Sequence, residues 1–206
     1  MKIVIIGAAG RAGRLIAQEA ARRGHEVLGV GRSPKPGVDR VKDVSDIDST
    51  DIADADVVVD ALGFFTPDTL AQHTSSVLHL ADVLSGSPTR LLVVGGAGSL
   101  YVDPEHRTRL FETPDFPAEY HALASAQAAQ LDALRGRDDV AWTYISPAAD
   151  FQADGERAGG YVLAGEELET GADGNSVISY ADYAIAVIDE AEQGRHPRQR
   201  ISVHAE

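Results

Sequence analysis

Apolar positions along the chain follow two rhythms that alternate from one end to the other. Ile3-Val4-Ile5-Ile6 is an unbroken apolar run that stops at Gly7, as expected of a strand buried on both faces of a parallel sheet. A helical period follows. Ala12, Leu15, Ile16 and Ala20 share one face, Arg14, Gln18 and Arg22 lie opposite, and Gly24 closes the segment. Glu26 to Val30 reads as the next strand, so residues 3–30 predict a βαβ unit with a right-handed crossover. The same alternation predicts a weak strand at Val38–Val41 and strands at Asp56–Asp60, Leu91–Val94 and Val140–Ile145, with helices at Thr69–Leu84 and Pro117–Arg135. Residues 152–176 are rich in Gly, Glu and Asp and read as small strands and loops. Among them, Tyr161-Val162-Leu163 is a short apolar piece and Gly165-Glu166-Glu167-Leu168-Glu169 a solvated surface loop. A helix starts near Ser179, which is spaced from Asp182 for a capping box, and stops at Gly194; Arg200–His204 is a last strand. Strands and helices in this order predict an α/β fold: a doubly wound parallel sheet flanked by helices. It occupies one domain, residues 1–206, with a small C-terminal elaboration from about residue 150.

Composition narrows the function more than the fold. With 206 residues, 44% of them hydrophobic, the chain can bury a sizeable core unaided. No apolar run approaches the ~18 to 20 residues that cross a bilayer. Met1-Lys2 leads directly into β-like sequence, so no signal peptide is read and the cytoplasm is the expected location. The absence of Cys excludes disulfides, thiolate nucleophiles and Cys-ligated zinc. The seven His are scattered without ligand spacing, so no metal site is expected. No G-x-S-x-G elbow supports acyl transfer. A net charge of −14 argues against nucleic acid as a partner. What remains is a small-molecule site on a monomer or homodimer.

The informative motif is Gly7-Ala8-Ala9-Gly10-Arg11-Ala12-Gly13. It follows a buried strand, opens an amphipathic helix and starts a βαβ unit, the context of a Rossmann-type dinucleotide site. Glycines let the backbone approach a pyrophosphate, and the helix start supplies free N–H groups; without a ligand the same residues would serve only a tight turn. An acid about 20 residues on would bond a ribose 2′-hydroxyl. Here Arg32 stands 19 residues after Gly13. A guanidinium suits a 2′-phosphate, which favours NADP(H) over NAD(H), and Arg11 could add a second cation. Asp43-Val44 is placed to meet the adenine edge.

Together with Ala61-Leu62-Gly63, Gly95-Gly96-Ala97-Gly98-Ser99, Tyr144-Ile145-Ser146-Pro147 and the segment Asn175–Ala184, these motifs make the chain resemble the atypical short-chain dehydrogenase/reductases. More narrowly, it resembles the small NAD(P)H-binding branch of NADH-flavin reductases, which is similar to biliverdin-IXβ/flavin reductase and NmrA-like proteins. The resemblance implies that Gly7, Gly10, Arg11, Ala12 and Gly13 hold pyrophosphate and ribose, and that Arg32 holds the 2′-phosphate. It places Asp43 and Val44 at adenine and Ala61, Leu62 and Gly63 along the cofactor path. Gly96 to Ser99 would lie beside the nicotinamide, with Pro147, Ala148 and Ala149 at its carboxamide.

Catalytic residues are less legible. The wider family pairs Tyr-x-x-x-Lys; the corresponding stretch is Tyr120-His121-Ala122-Leu123-Ala124, with Ala in place of Lys. Alone, a phenol with pKa near ~10 is a weak base at neutral pH. Tyr120 and Ser99 are the candidate catalytic groups. Ser99 follows the fifth strand, where the family places a substrate-polarising hydroxyl; it also suits a local turn. Phe64 and Phe65, with Phe151, are candidates for an aromatic lip, Phe64 and Phe65 equally for core, and Tyr101 is a candidate substrate contact. The favoured reading is an NADPH-dependent reductase of a flat conjugated acceptor such as a flavin or quinone. Two alternatives stay open: a non-catalytic NADP(H)-binding sensor, and a carbonyl reductase or epimerase acting through Tyr120.

Overall fold

The structure is a computed structural model describing residues 1–206. Its elements run β1 (Lys2–Ile6), α1 (Arg11–Arg22), β2 (Glu26–Gly31), β3 (Arg40–Val41), β4 (Val57–Asp60), α2 (Gln72–Leu84), β5 (Arg90–Val94), α3 (Ala118–Arg135), β6 (Trp142–Ser146), β7 (Asp150–Gln152), β8 (Val162–Ala164), β9 (Val177–Ser179), α4 (Tyr180–Gln193) and β10 (Gln199–His204). Eight strands form one sheet in the order β3-β2-β1-β4-β5-β6-β10-β8, parallel throughout except for β8 at the edge. This is the Rossmann-like arrangement the alternation predicted. β7 and β9 pair in parallel as a separate two-stranded sheet beyond the end of β6.

The apolar run of β1 is buried on both faces, and its alternate residues serve different layers. Ile3 and Ile5 pack with Ile16 and Ala20 of α1 and Ala184, Val187 and Ile188 of α4. Val4 and Ile6 pack with Val77 and Leu80 of α2 and Leu131 and Leu134 of α3. Each of these Ile, Val and Leu side chains contributes about 1.5–3 kcal/mol on burial. Ions also tie α1 to α4. Glu19 is buried and takes Arg22, Arg23 and Arg157, while Arg23 reaches Asp189 at 2.6 Å. The Arg22 hydrogen bond, with help from the other two arginines, outweighs burial and holds the Glu19 carboxyl down at about 2.

Several boundaries differ from expectation for local reasons. The helix expected from Thr69 begins at Gln72, because the Thr69 hydroxyl donates to the Thr66 carbonyl at 2.9 Å and takes residues 66–69 into a turn. β3 starts only at Arg40, after a turn closed by the Val38 N–H on Lys35 O. The sixth strand starts at Trp142. Only half of the capping box forms at α4. Ser179 Oγ accepts the Asp182 N–H at 3.0 Å, but the Asp182 carboxylate accepts the Ser179 hydroxyl and the N–H groups of Ala158 and Gly159 rather than the Ser179 backbone N–H. The largest correction concerns Gly165–Glu169. It is not a solvated loop: Glu166 pairs with Arg200, whose side chain is fully buried, and with Arg135 at 2.8 Å.

Candidate functional site

Parallel strands reverse their order about β1 and β4, and ligands of open α/β sheets lie at the strand carboxyl ends beside such a point. Here that point is the Gly7–Gly13 loop. Gly7 has φ +89°, and a Cβ on it would lie 2.7 Å from the Ala61 carbonyl oxygen, so only glycine lets β1 and β4 leave the sheet this close together. Gly10 is the N-cap of α1. The N–H groups of Arg11, Ala12 and Gly13 have no backbone acceptor, and no acid occupies the first turn. An exposed helix start with free donors and no resident acid is a fitting cradle for a phosphate.

Gly13 plays a different part. It lines neither cavity, and a Cβ there would lie 2.3 Å from the Gly7 carbonyl oxygen. Its hydrogen lets the first turn of α1 pack on the loop. Gly13→Ala is therefore expected to destabilise the fold by about 3 kcal/mol, lowering Tm by roughly 6–12 °C. Gly165→Ala, with nothing within 4 Å of the added methyl, should stay within ~0.5 kcal/mol of wild type. Thermal denaturation followed by circular dichroism separates the two.

Two cavities meet at Gly10 and Ala61-Leu62-Gly63. The smaller, about 230 Å³, is lined by Gly7, Arg32, Asp43 and Val44, and also by Lys35 and Lys42, which sequence reasoning did not single out. Lys42 is already paired with Asp51 and, at 3.4 Å, Asp48, whereas Arg32 and Lys35 are exposed and outside every ion pair. Asp43 accepts the Ser45 N–H, which, more than the nearby Arg32, holds its carboxyl below the usual range against the effect of burial. The larger cavity, about 1430 Å³, is lined by Arg11, Ala12, Gly96, Pro147, Ala148, Ala149, Tyr120 and Phe151 among the expected residues.

Aromatic side chains are distributed differently from expectation. Phe65, 73% exposed, lines the larger cavity, whereas Phe64 turns into the protein, edge-on to His73, and borders only the smaller one. Tyr180, at the first turn of α4, lies 3.8 Å centroid to centroid from Phe151 and completes that wall. The segment Asn175–Ala184 was legible as a motif, but nothing in it marked Tyr180 as lining. Tyr101 is not on the cavity. It stacks on His106 at 4.6 Å, donates its N–H to Glu166 O and accepts from Leu168 N–H.

Ser99 is corrected likewise. It is 3% exposed, its hydroxyl has no partner, and it lines neither cavity; its carbonyl instead accepts from Arg200 at 3.3 Å. The preceding Gly95-Gly96 lies against the ring of Tyr144, 2.2 Å from where a Gly95 Cβ would be. The Tyr144 hydroxyl accepts the Gly96 N–H at 3.3 Å and donates to Gln127 O, joining β5 to α3. Burial pushes that phenol well above its ordinary value, so it stays neutral. At the position of the family's Lys, Ala124 is 5% exposed, and its methyl would be 2.6 Å from a Gly98 Cβ. Backbone of the β5 loop therefore occupies the space beside it, and Tyr120, 57% exposed at the rim, has no cation on its own helix four residues on.

One buried group went unnoticed in the sequence. Asp60 ends β4 between Ile6 and Val93. Its Oδ1 accepts the Leu62 N–H at 3.1 Å, bending Ala61–Gly63 between the cavities, while Oδ2 has no partner. Burial raises its carboxyl to about 7, and the Leu62 bond only partly opposes this.

Sheet order, glycine loop and paired cavities define a nicotinamide-dinucleotide-binding α/β protein. The chain belongs to the NAD(P)H-binding family, whose model matches residues 7–192. It is 44% identical to the uncharacterized protein YwnB of Bacillus subtilis over 212 aligned positions, covering all of this chain and 99% of that one. A solved structure from Streptococcus pneumoniae, a "putative NADH-flavin reductase", is 47% identical with a TM-score of 0.97 and full coverage of both chains. Another from Bacteroides thetaiotaomicron, a "putative epimerase", is 33% identical with a TM-score of 0.85, covering 99% of this chain and 96% of that one.

Proposed function

We propose that the protein is an NADPH-dependent reductase of a flat conjugated acceptor. The observation that carries this reading is the junction of the two cavities at the phosphate cradle. One holds free cations, and the other is roomy, aromatic and without a Tyr–Lys pair. When bound, the dinucleotide supplies a hydride equivalent, so that acceptor, reduced dinucleotide and one proton give dihydro-acceptor and oxidised dinucleotide.

The chain's own residues bind, orient and shield. The N–H groups of Arg11 and Ala12 receive the pyrophosphate, and Arg32 with Lys35 receives the 2′-phosphate. Asp60 and Tyr144 fix the backbone of Ala61–Gly63 and Gly95-Gly96 along the path between the cavities. Phe65, Phe151 and Tyr180 line the larger cavity and supply aromatic surface for an acceptor lying flat. Holding two planar systems together supplies most of what such a transfer requires. The single proton comes from water at the open rim, where Tyr120 offers a hydroxyl but no activated base. The "putative NADH-flavin reductase" from Streptococcus pneumoniae supports the same activity class.

Fluorescence titration with NADPH and NADH tests the reading. NADPH should bind more tightly, and a flavin or a quinone should then oxidise it. Arg32→Ala should weaken NADPH about 10- to 100-fold, the worth of a charge-assisted contact, and leave NADH within about twofold. Equal loss for both nucleotides would place Arg32 elsewhere than at the 2′-phosphate, and binding with no oxidation by any acceptor would favour a sensor.

A further inference from the structure

The larger cavity holds more than a nicotinamide. Its 1430 Å³ exceeds the roughly 300–1,000 Å³ common for small-molecule sites. Phe65, Phe116, Tyr120, Phe151 and Tyr180 reach it from four separate segments. Its charged lining residues are Arg11, Asp115 and Asp150. Arg11 stands at the start of α1, beside the phosphate cradle, and near enough to Tyr180 to bear on its phenol. Beyond the cradle the charged groups an acceptor meets are therefore carboxylates, set among aromatic and neutral polar side chains. Asp115 takes part in no ion pair or hydrogen bond, and Asp150 accepts only from Gln152 Nε2, at 2.7 Å. The start of α3, which borders the same space, already carries Glu119 in its first turn.

We propose that the acceptor reduced here is an uncharged fused-ring compound, a flavin nucleoside or an unsubstituted quinone, and that Asp115 and Asp150 turn away its phosphorylated or sulfonated counterparts. This rests on the reductase reading and adds the substrate's charge to it. Two lining carboxylates repel a phosphate ester, and the one lining cation, Arg11, stands at the cradle, where the dinucleotide's own phosphates engage it. Both carboxylates are exposed, so their effect weakens with salt.

The test pairs riboflavin with FMN, and 1,4-naphthoquinone with its 2-sulfonate. Binding to the NADP+-loaded protein is read by fluorescence quenching, and kcat/KM from NADPH oxidation. At low ionic strength the neutral member of each pair should bind about tenfold more tightly and react correspondingly better. The gap should shrink in 1 M salt and in the Asp115→Asn/Asp150→Asn variant. Equal binding within both pairs at low salt overturns the proposal while leaving a reductase that oxidises NADPH. A gap unchanged in the double variant overturns the role given to the two carboxylates. If no acceptor of either pair binds or oxidises NADPH, the reductase reading falls, and this inference with it.

Discussion

The Asp60→Asn variant should gain on the wild type as pH rises, with its relative stability climbing by up to about 4 kcal/mol between pH 4 and pH 8. The sign follows from the direction of the shift. Burial raises the folded-state carboxyl to about 7 from an ordinary value of 3.8. A raised acid binds its proton more tightly when folded, so the native state bears no penalty below pH 4. The penalty grows as pH climbs from 4 to 7 and is complete above 7. Asn keeps the oxygen that accepts the Leu62 N–H and never ionises. Comparing two pH values cancels whatever the buried amide N–H group costs, since that cost does not titrate. Urea denaturation of both proteins at pH 4 and pH 8 gives the four free energies. An advantage equal at both pH values would mean that Asp60 ionises freely, through water reaching Oδ2.

Asp60 also shows what periodicity can and cannot reveal. Asp56-Val57-Val58-Val59-Asp60 read as a strand because its apolar centre fits a sheet buried on both faces, and β4 is there. The same pattern gave no hint that Asp60 stays inside. A strand residue's face depends on parity, and the sequence does not mark where the chain leaves the sheet. Phe64 and Phe65 are the same problem over one step: both read as loop-base aromatics, and the turn after β4 buries one and exposes the other.

The glycine loop was legible because its chemistry is local. Three glycines, a strand before and a helix after all lie within residues 2–22, and the same window held the cavity-lining Gly10, Arg11 and Ala12. Lys35 and Lys42 were within reach of the same reasoning, being cations just past β2 and β3. Contacts across the chain were not legible. Glu166 sits in an acidic run that looks solvated, and nothing nearby indicates that Arg200, in the last strand, will cover it. Ser99 was misplaced for the same reason: its position after β5 is fixed by an arginine 101 residues away.

That arginine carries the other large effect. Arg200→Ala should cost about 3–5 kcal/mol, the range for breaking one side of a buried ion pair. The Arg200 side chain is wholly inaccessible. Its Nε donates to Glu166 Oε2 at 3.0 Å, and its Nη2 donates to the same carboxylate and to the carbonyls of Glu166 and Ser99. Burial lowers the Arg200 pKa despite the facing acid, so its charge is held at a cost. Burial alone would raise Glu166, but Arg200 and Arg135 together keep it below the usual carboxylate range. Removing the guanidinium leaves that carboxylate half-buried with only Arg135, and leaves the Ser99 carbonyl without its donor. Two further variants separate the lost pair from lost volume. Arg200→Met keeps most of the packing and should still lose most of the stability. Arg200→Met with Glu166→Leu removes both charges and should recover at least half of the loss. The loop clamped by Arg200 contains Gly96 and ends at Ser99, so the single variant should also weaken nucleotide binding, and the double variant should not restore it fully, because the Ser99 carbonyl still lacks its donor. Chemical denaturation of the three variants, each paired with an NADPH titration, reads both effects. If Arg200→Met were as stable as wild type, the ion pair would contribute nothing beyond its packing, and the clamp on the Gly96–Ser99 loop would have to be sought in Tyr144 instead.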